Sequence, residues 1–151
     1  MRTVQNMLDL KDNPDNIISP DIMVIDALKK LILVNLSYLI VYDNEKFCGI
    51  FSERDYTRKL VVEGRSSRDT QVKDVMTTNL PEVSKDNTVE DCMYQINTRG
   101  SRYVAAFDHE HFLGIITIND LLREVLANKQ QVFDNTLTSN LLDADEGGKI
   151  F

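Results

Sequence analysis

The sequence predicts a mixed α/β (α+β) protein built from two copies of one unit, and three observations carry that reading. The first is a duplication: Gly49-Ile50-Phe51-Ser52-Glu53-Arg54-Asp55 returns 65 residues later as Gly114-Ile115-Ile116-Thr117-Ile118-Asn119-Asp120. At that offset, residues 17–61 pair with 82–126 without a gap and share 12 identities over 45 positions, where unrelated sequence would share roughly three. The second observation is a helical apolar period early in each copy. The third is a pair of short β-rich runs that follows it, split by a polar turn.

In copy one Val24, Ala27, Leu28, Leu31 and Ile32 fall at i, i+3, i+4, i+7 and i+8, the face of one helix. Copy two repeats the pattern with Val89, Cys92, Met93 and Ile96. Thr88 is placed to cap that second helix with Asp91 three residues on; the matching position in copy one is Met23, which has no capping oxygen, so that helix starts less well specified. Tyr38 to Tyr42 and Phe47 to Phe51 then form a hairpin about Asp43-Asn44-Glu45-Lys46, and Tyr103 to Phe107 and Phe112 to Ile116 form one about Asp108-His109-Glu110-His111. The runs are apolar at successive positions, which predicts sheets covered on both faces, by helices on one side and by the other copy on the other. A second helix is expected from about Glu53 to Glu63 and from about Ile118 to Gln131.

Ahead of each first helix lies a lead segment, Val4 to Ile18 and Val72 to Val83, in which Met7-Leu8-Asp9-Leu10 and Val72-Lys73-Asp74-Val75 are related stretches. Gly64 to Thr70 is a polar linker. The organisation is a first repeat at 1–66, a second at 67–131 and an extension at 132–151, a short helix at most and then a frayed tail. A lone copy of about 65 residues is too small to be comfortable. The expectation is one compact domain from two half-domains.

Composition narrows the function. The chain has 151 residues, 42% apolar and 27% charged, with a net charge of −7. That charge argues against nucleic acid as a partner, because binding one needs a basic field over a whole face. It leaves a mononucleotide open, since a few Arg side chains and backbone amides hold one phosphate. No apolar run has the roughly 18 residues of a membrane span, and the first residues lack a signal-peptide core, so a cytoplasmic protein is expected. Cys48 and Cys92 stand at isolated apolar positions and read as small core residues. His109-Glu110-His111 alternates at a hairpin tip, a solvated turn rather than a metal site. No catalytic set of nucleophile and base stands out, and the chain reads as a non-enzyme.

A repeat of this length with Gly-x-x-Ser/Thr-x-x-Asp between its last strand and last helix resembles the cystathionine-β-synthase (CBS) domain. Two in tandem resemble a Bateman module, and the run Gly49 to Tyr56 followed by Gly64-Arg65-Ser66-Ser67 is similar to small stand-alone bacterial members. The resemblance implies two β-α-β-β-α repeats related by pseudo-twofold symmetry, sheets packed together and helices outside. It implies a regulatory, signal-transducing module that binds AMP, ADP, ATP or NAD in clefts between the repeats and serves a regulated partner protein. A homodimer packed through helices into a flat disc is implied as well.

The motif has a physical rationale under that resemblance. Ser52 and Thr117 stand where strand turns to helix, so a phosphate there meets a hydroxyl, free backbone N–H groups and the positive end of a helix dipole. Asp55 and Asp120, one turn in, can each accept both hydroxyls of a ribose. Ile18 and Val83, with Tyr38 and Tyr103, are the implied slot for the base. The two motifs are unequal: copy one offers Arg54 and Arg58 to a phosphate, while copy two has Asn119 and Arg123. The other reading is structural, because Ser-x-x-Asp and Thr-x-x-Asp are also capping boxes, and Arg54 can be a solvated residue paired with Glu53 or Asp55.

Overall fold

The duplication becomes two three-stranded sheets of identical plan in the computed structural model, which describes residues 2–12 and 14–128. The chain runs α1 (Val4–Asp9), β1 (Ile17–Ile18), α2 (Val24–Val34), β2 (Tyr38–Asp43), β3 (Lys46–Ser52) and α3 (Glu53–Asp55), which continues into a π-helical stretch, Tyr56–Val61. After a short 3₁₀ turn, Val72–Asp74, come β4 (Glu82–Ser84), α4 (Val89–Arg99), β5 (Tyr103–Asp108), β6 (His111–Thr117) and α5 (Ile118–Ala127). In each sheet the short first strand runs parallel to the second, and the second and third form an antiparallel hairpin.

The hairpins are tighter than the sequence suggests. Asp43 pairs with Lys46 and Asp108 with His111, leaving two-residue loops in place of the expected four-residue turns. Asn44 and Glu45 accept φ of 49° and 66° to make the first one, the left-handed geometry that suits the twist of a two-residue hairpin. Each hairpin has a register shift at the same place, after Val41 and after Ala106, and the two glycines of the repeated heptad lie opposite these residues.

By contacts the chain divides into two compact units, Asn13–Asn79 and Met1–Asp12 with Leu80–Phe151. Each has its own core. In the first, Leu39, Val41 and Phe51 of the sheet meet Val24, Ala27 and Leu31 of α2 and Leu60 of the π-helical stretch. In the second, Val104, Ala106 and Ile116 meet Cys92, Met93 and Ile96 of α4 and Leu121 and Val125 of α5. Each large side chain so buried contributes about 1.5–3 kcal/mol. Ile32 departs from the expected stripe: it is 81% exposed, and its neighbour Leu33 is 83% exposed, while Leu31 is buried in the core and Val34 packs against it.

The lead segments pack with the opposite repeat, so α1 belongs to the unit holding copy two and the Val72–Asp74 turn to the unit holding copy one. Their match differs from the sequence reading by three residues. Isolated bridges place Thr3 against Thr88 and Gln71 against Met23, so the lead segments correspond at 68 residues while everything after them corresponds at 65. Val4 therefore matches Val72, and Met7 matches Val75, all four at most 3% exposed. Burial of these pairs overrides the local likeness of Met7–Leu10 to Val72–Val75.

The same bridges explain how α2 begins without a cap. Met23 makes no side-chain capping bond, but the amides of Val24 and Ile25 donate to the carbonyls of Thr70 (2.8 Å) and Ser67 (2.9 Å). The linker does the work of a capping residue. At α4, Thr88 and Asp91 form the expected capping box. The second helix of copy one, expected as a helix over 53–63, is α-helical only for Glu53–Asp55 before the wider π turns. The second helix of copy two ends at Ala127; the last residues of its expected span and the extension at 132–151 lie outside the described residues.

Candidate functional site

The repeated motif forms the same object in both units, a strand end that turns into a helix over a buried carboxylate. In the first unit Ser52 ends β3 and caps α3: its Oγ accepts the Asp55 amide at 3.2 Å, while Asp55 Oδ2 accepts the Ser52 amide at 2.9 Å and the Ser52 hydroxyl at 3.1 Å. The other oxygen, Oδ1, accepts the Thr77 hydroxyl at 2.7 Å and lies 2.9 Å from Lys59 Nζ. Lys59 also donates to the carbonyl of Val75 at 3.0 Å. Ser52 and Asp55 are 5% and 4% exposed. A carboxylate has about four lone-pair positions, and here four donors fill them.

In the second unit Thr117 ends β6 and caps α5. Its Oγ1 accepts the Asp120 amide at 3.1 Å, and Asp120 Oδ2 accepts the Thr117 amide at 2.8 Å. Lys11 Nζ reaches the same Oδ2 at 2.8 Å and the Ile115 carbonyl, also at 2.8 Å, while Arg123 Nη1 meets Oδ1 at 3.2 Å. Asp120 is 7% exposed.

Both motifs are therefore complete capping boxes, the structural alternative that the sequence left open. The expectation of free amides at the helix starts needs correcting. The Ser52, Asp55, Thr117 and Asp120 amides are bonded inside the boxes, and those of Glu53 and Ile118 donate to the carbonyls of Ser37 (3.1 Å) and Arg102 (2.9 Å). A phosphate at either position has fewer donors to meet than the sequence implied.

The remaining candidates divide into two groups. Tyr38 lies directly across the hairpin from Ser52, and Tyr103 directly across from Thr117, each almost fully buried. Ile18 pairs with Val41 and Val83 with Ala106, and both belong to their unit's core. Arg54 is half-buried, and Arg58 and Asn119 are exposed on the helices that follow the motifs. His109 and His111 are exposed at the hairpin tip, where His109 Nδ1 lies 2.9 Å from Asp108 Oδ1. Among the described residues no group of three His, Cys, Asp or Glu side chains is placed to hold a metal ion.

Three residues at the carboxylates escaped the sequence reading: Lys59, Thr77 and Lys11. Lys59 was findable, being four residues after Asp55 on one helix face. Thr77 and Lys11 come from the lead segments, which no periodicity links to the motifs. At Asp120 the lead segment's Lys11 adds a second cation beside Arg123 of the repeat.

These features define a tandem repeat of the CBS type, and comparison with known proteins agrees. The CBS domain family profile matches residues 9–62 and 72–127. The chain belongs to the CBS-domain family, as a pair of such domains. It is 32% identical over 111 residues to the mitochondrial CBS domain-containing protein CBSX3 of Arabidopsis thaliana, a match over 70% of this chain that spans about half, 54%, of that relative. A CBS-domain protein structure from Burkholderia ambifaria is 30% identical, with a TM-score of 0.77 over 84% of this chain and 96% of that one. The structure of CBSX2 in complex with AMP shares the fold at 23% identity, with a TM-score of 0.66 over 84% of this chain and 98% of that one.

Proposed function

We propose that this CBS pair is a non-catalytic regulatory module that binds an adenosine-containing nucleotide, AMP, ADP, ATP or NAD, at one or both motifs and passes its occupancy to a partner protein. The observation that carries the reading is the pair of buried carboxylates, Asp55 and Asp120, at equivalent strand-to-helix junctions, each with a buried tyrosine beside its capping hydroxyl. One oxygen of each carboxylate is bonded only by side chains, Thr77 and Lys59 at Asp55 and Arg123 at Asp120 among the described residues, whose places a ribose diol would take. Ser52 or Thr117 would meet the phosphate side, with Arg54 and Arg58 adding charge at the first motif, and Asn119 a neutral contact at the second. Ile18 with Tyr38, and Val83 with Tyr103, would take the base. CBSX2, which shares the fold, is known in complex with AMP.

Self-association as a homodimer belongs to the same proposal, supported by the exposed Ile32, Leu33, Val61 and Val62. A cytoplasmic setting fits the two free cysteines and the absence, among the described residues, of a helix long and apolar enough to cross a membrane.

Native mass spectrometry of the purified protein reads oligomer and co-purifying nucleotide together. Thermal melting with AMP, ADP, ATP and NAD then tests binding. A ligand at 100 times its dissociation constant adds about 2.7 kcal/mol, and the gain should shrink in Asp55→Ala or Asp120→Ala. No shift with any of the four nucleotides overturns the reading. It would favour a structural or protein-interaction CBS pair whose motifs serve only as caps, the reading that the complete capping boxes support. In that case Ser52→Ala and Thr117→Ala each cost about 1 kcal/mol and change nothing else.

A further inference from the structure

The two motif carboxylates share one kind of cap but differ at the oxygen that the cap leaves over. At Asp55 the Ser52 amide and hydroxyl fill Oδ2, and at Asp120 the Thr117 amide and Lys11 fill it. A carboxylate oxygen offers two lone-pair positions. A ribose diol that leaves these bonds in place is received at Oδ1.

At Asp55 both positions of Oδ1 are taken from within the same unit. The Thr77 hydroxyl donates to it at 2.7 Å, and Lys59 Nζ lies 2.9 Å from it. Thr77 is fixed through its backbone, whose amide donates to the Ile50 carbonyl at 2.8 Å and whose carbonyl accepts the Ile50 amide at 3.0 Å. Lys59 is 43% exposed, but its ammonium has three further oxygens around it: the Val75 carbonyl at 3.0 Å, the Thr77 hydroxyl at 3.3 Å and the Met76 carbonyl at 3.4 Å. Moving it into water takes the cation from a buried carboxylate and from those oxygens in one step.

At Asp120, Arg123 Nη1 is the donor to Oδ1 among the described residues, at 3.2 Å and from a side chain that is 74% exposed. One lone-pair position is thus open among the described residues, and the other is held by an exposed ion pair, which costs little to break. Both hydroxyls of a ribose can bond there while the cap and Lys11 stay as they are. Arg54 and Arg58 add charge to the first motif, but a phosphate contact does not free a carboxylate that is already filled.

We propose that Lys59 and Thr77 are specificity-determining residues that close the Ser52–Asp55 motif to a ribose, so that a nucleotide binds this chain through the Thr117–Asp120 motif. The assignment rests on the nucleotide reading above and narrows it from two motifs to one.

The full chain is titrated with AMP, ADP, ATP and NAD, and bound nucleotide per chain is counted by native mass spectrometry. A nucleotide that binds should reach one per chain at ten times its dissociation constant, with any second site about a hundredfold weaker. Asp120→Asn should weaken binding at least about tenfold. Lys59→Met combined with Thr77→Val empties Oδ1 of Asp55 and should raise the count to two per chain, whereas a merely structural role for the pair lowers stability and leaves the count at one. Thermal melting checks that each variant folds, and if one does not, the wild-type count and the other variant decide. Two nucleotides of similar affinity on the wild type overturn the assignment and leave the nucleotide reading standing. Unchanged affinity in a folded Asp120→Asn, or a folded double variant that still holds one nucleotide, does the same. No bound nucleotide of the four overturns both.

Discussion

Lys11 and Asp120 are 109 residues apart in the chain, and their ammonium and carboxylate are 2.8 Å apart in the fold. Because Asp120 is 7% exposed, removing the lysine leaves a buried charge short of a partner. Lys11→Met should lower the unfolding free energy by about 1–3 kcal/mol in urea titration. Arg123→Ala, which removes an exposed partner of the same carboxylate, should change it by less than about 0.5 kcal/mol. Equal effects of the two would show that Lys11 does not carry the pair.

Gly49 and Gly114 occupy the same position of the heptad but meet different neighbours. A Cβ on Gly49 would overlap the Thr77 carbonyl oxygen, a backbone atom held in the Ile50 bridge. On Gly114 it would come within 2.9 Å of Leu8 Cδ2, the end of a flexible side chain. Gly49→Ala should cost at least about 2 kcal/mol and Gly114→Ala about 1 kcal/mol or less. Denaturant midpoints of the two variants decide it, and a larger loss at Gly114 would contradict the packing described.

The Asp91 carboxyl is held below the usual carboxylate range by the Thr88 backbone N–H that it accepts in the α4 cap, with a smaller contribution from Asn87. A folded-state value lower than the unfolded one means that ionised Asp91 stabilises the fold above the unfolded-state value of about 3.9. This contribution is lost as pH falls through the lower, folded value. Asp91→Asn should therefore destabilise the protein at pH 7 and lose part of that effect near pH 3. A difference between variant and wild type that grows on acidification would reverse the sign.

The two thiols should react at very different rates. Cys92 is fully buried in the second unit's core, and burial, helped by Asp91, pushes its thiol up to about 12. Cys48 is only half-buried on β3. The thiolate is the reactive form, so a disulfide reagent at pH 8 should label Cys48 in the native protein and Cys92 only after unfolding. Peptide mapping after a short exposure gives the answer, and early label on Cys92 would mean that α4 opens readily.

Much of the fold was legible because the chain states it twice. The offset of 65 residues located both hairpins, both motifs and the first helix of each copy, and period alone marked Val24, Ala27, Leu31, Cys92, Met93 and Ile96 as core. Thr88 and Asp91 formed the cap that their spacing allows. Local rules failed where the answer lay elsewhere in the chain. Met23 has no capping oxygen, yet the start of α2 is satisfied by Thr70 and Ser67, and nothing about residues 23–26 announces those partners. The lead segments matched Met7 to Val72 by local likeness, whereas burial matches Met7 to Val75.

The sequence by itself determined that there are two units of one kind, and that each carries a hydroxyl and a carboxylate three residues apart where a strand becomes a helix. Those features depend on short-range spacing and on repetition, which a linear chain displays. Only the tertiary structure decided that α1 packs with copy two, and that Lys11 and Thr77 reach the carboxylates from segments outside the repeated motif. These are contacts between residues 22 and 109 positions apart, and their energy comes from burying apolar lead segments and satisfying buried charges, terms set only when the chain has closed on itself.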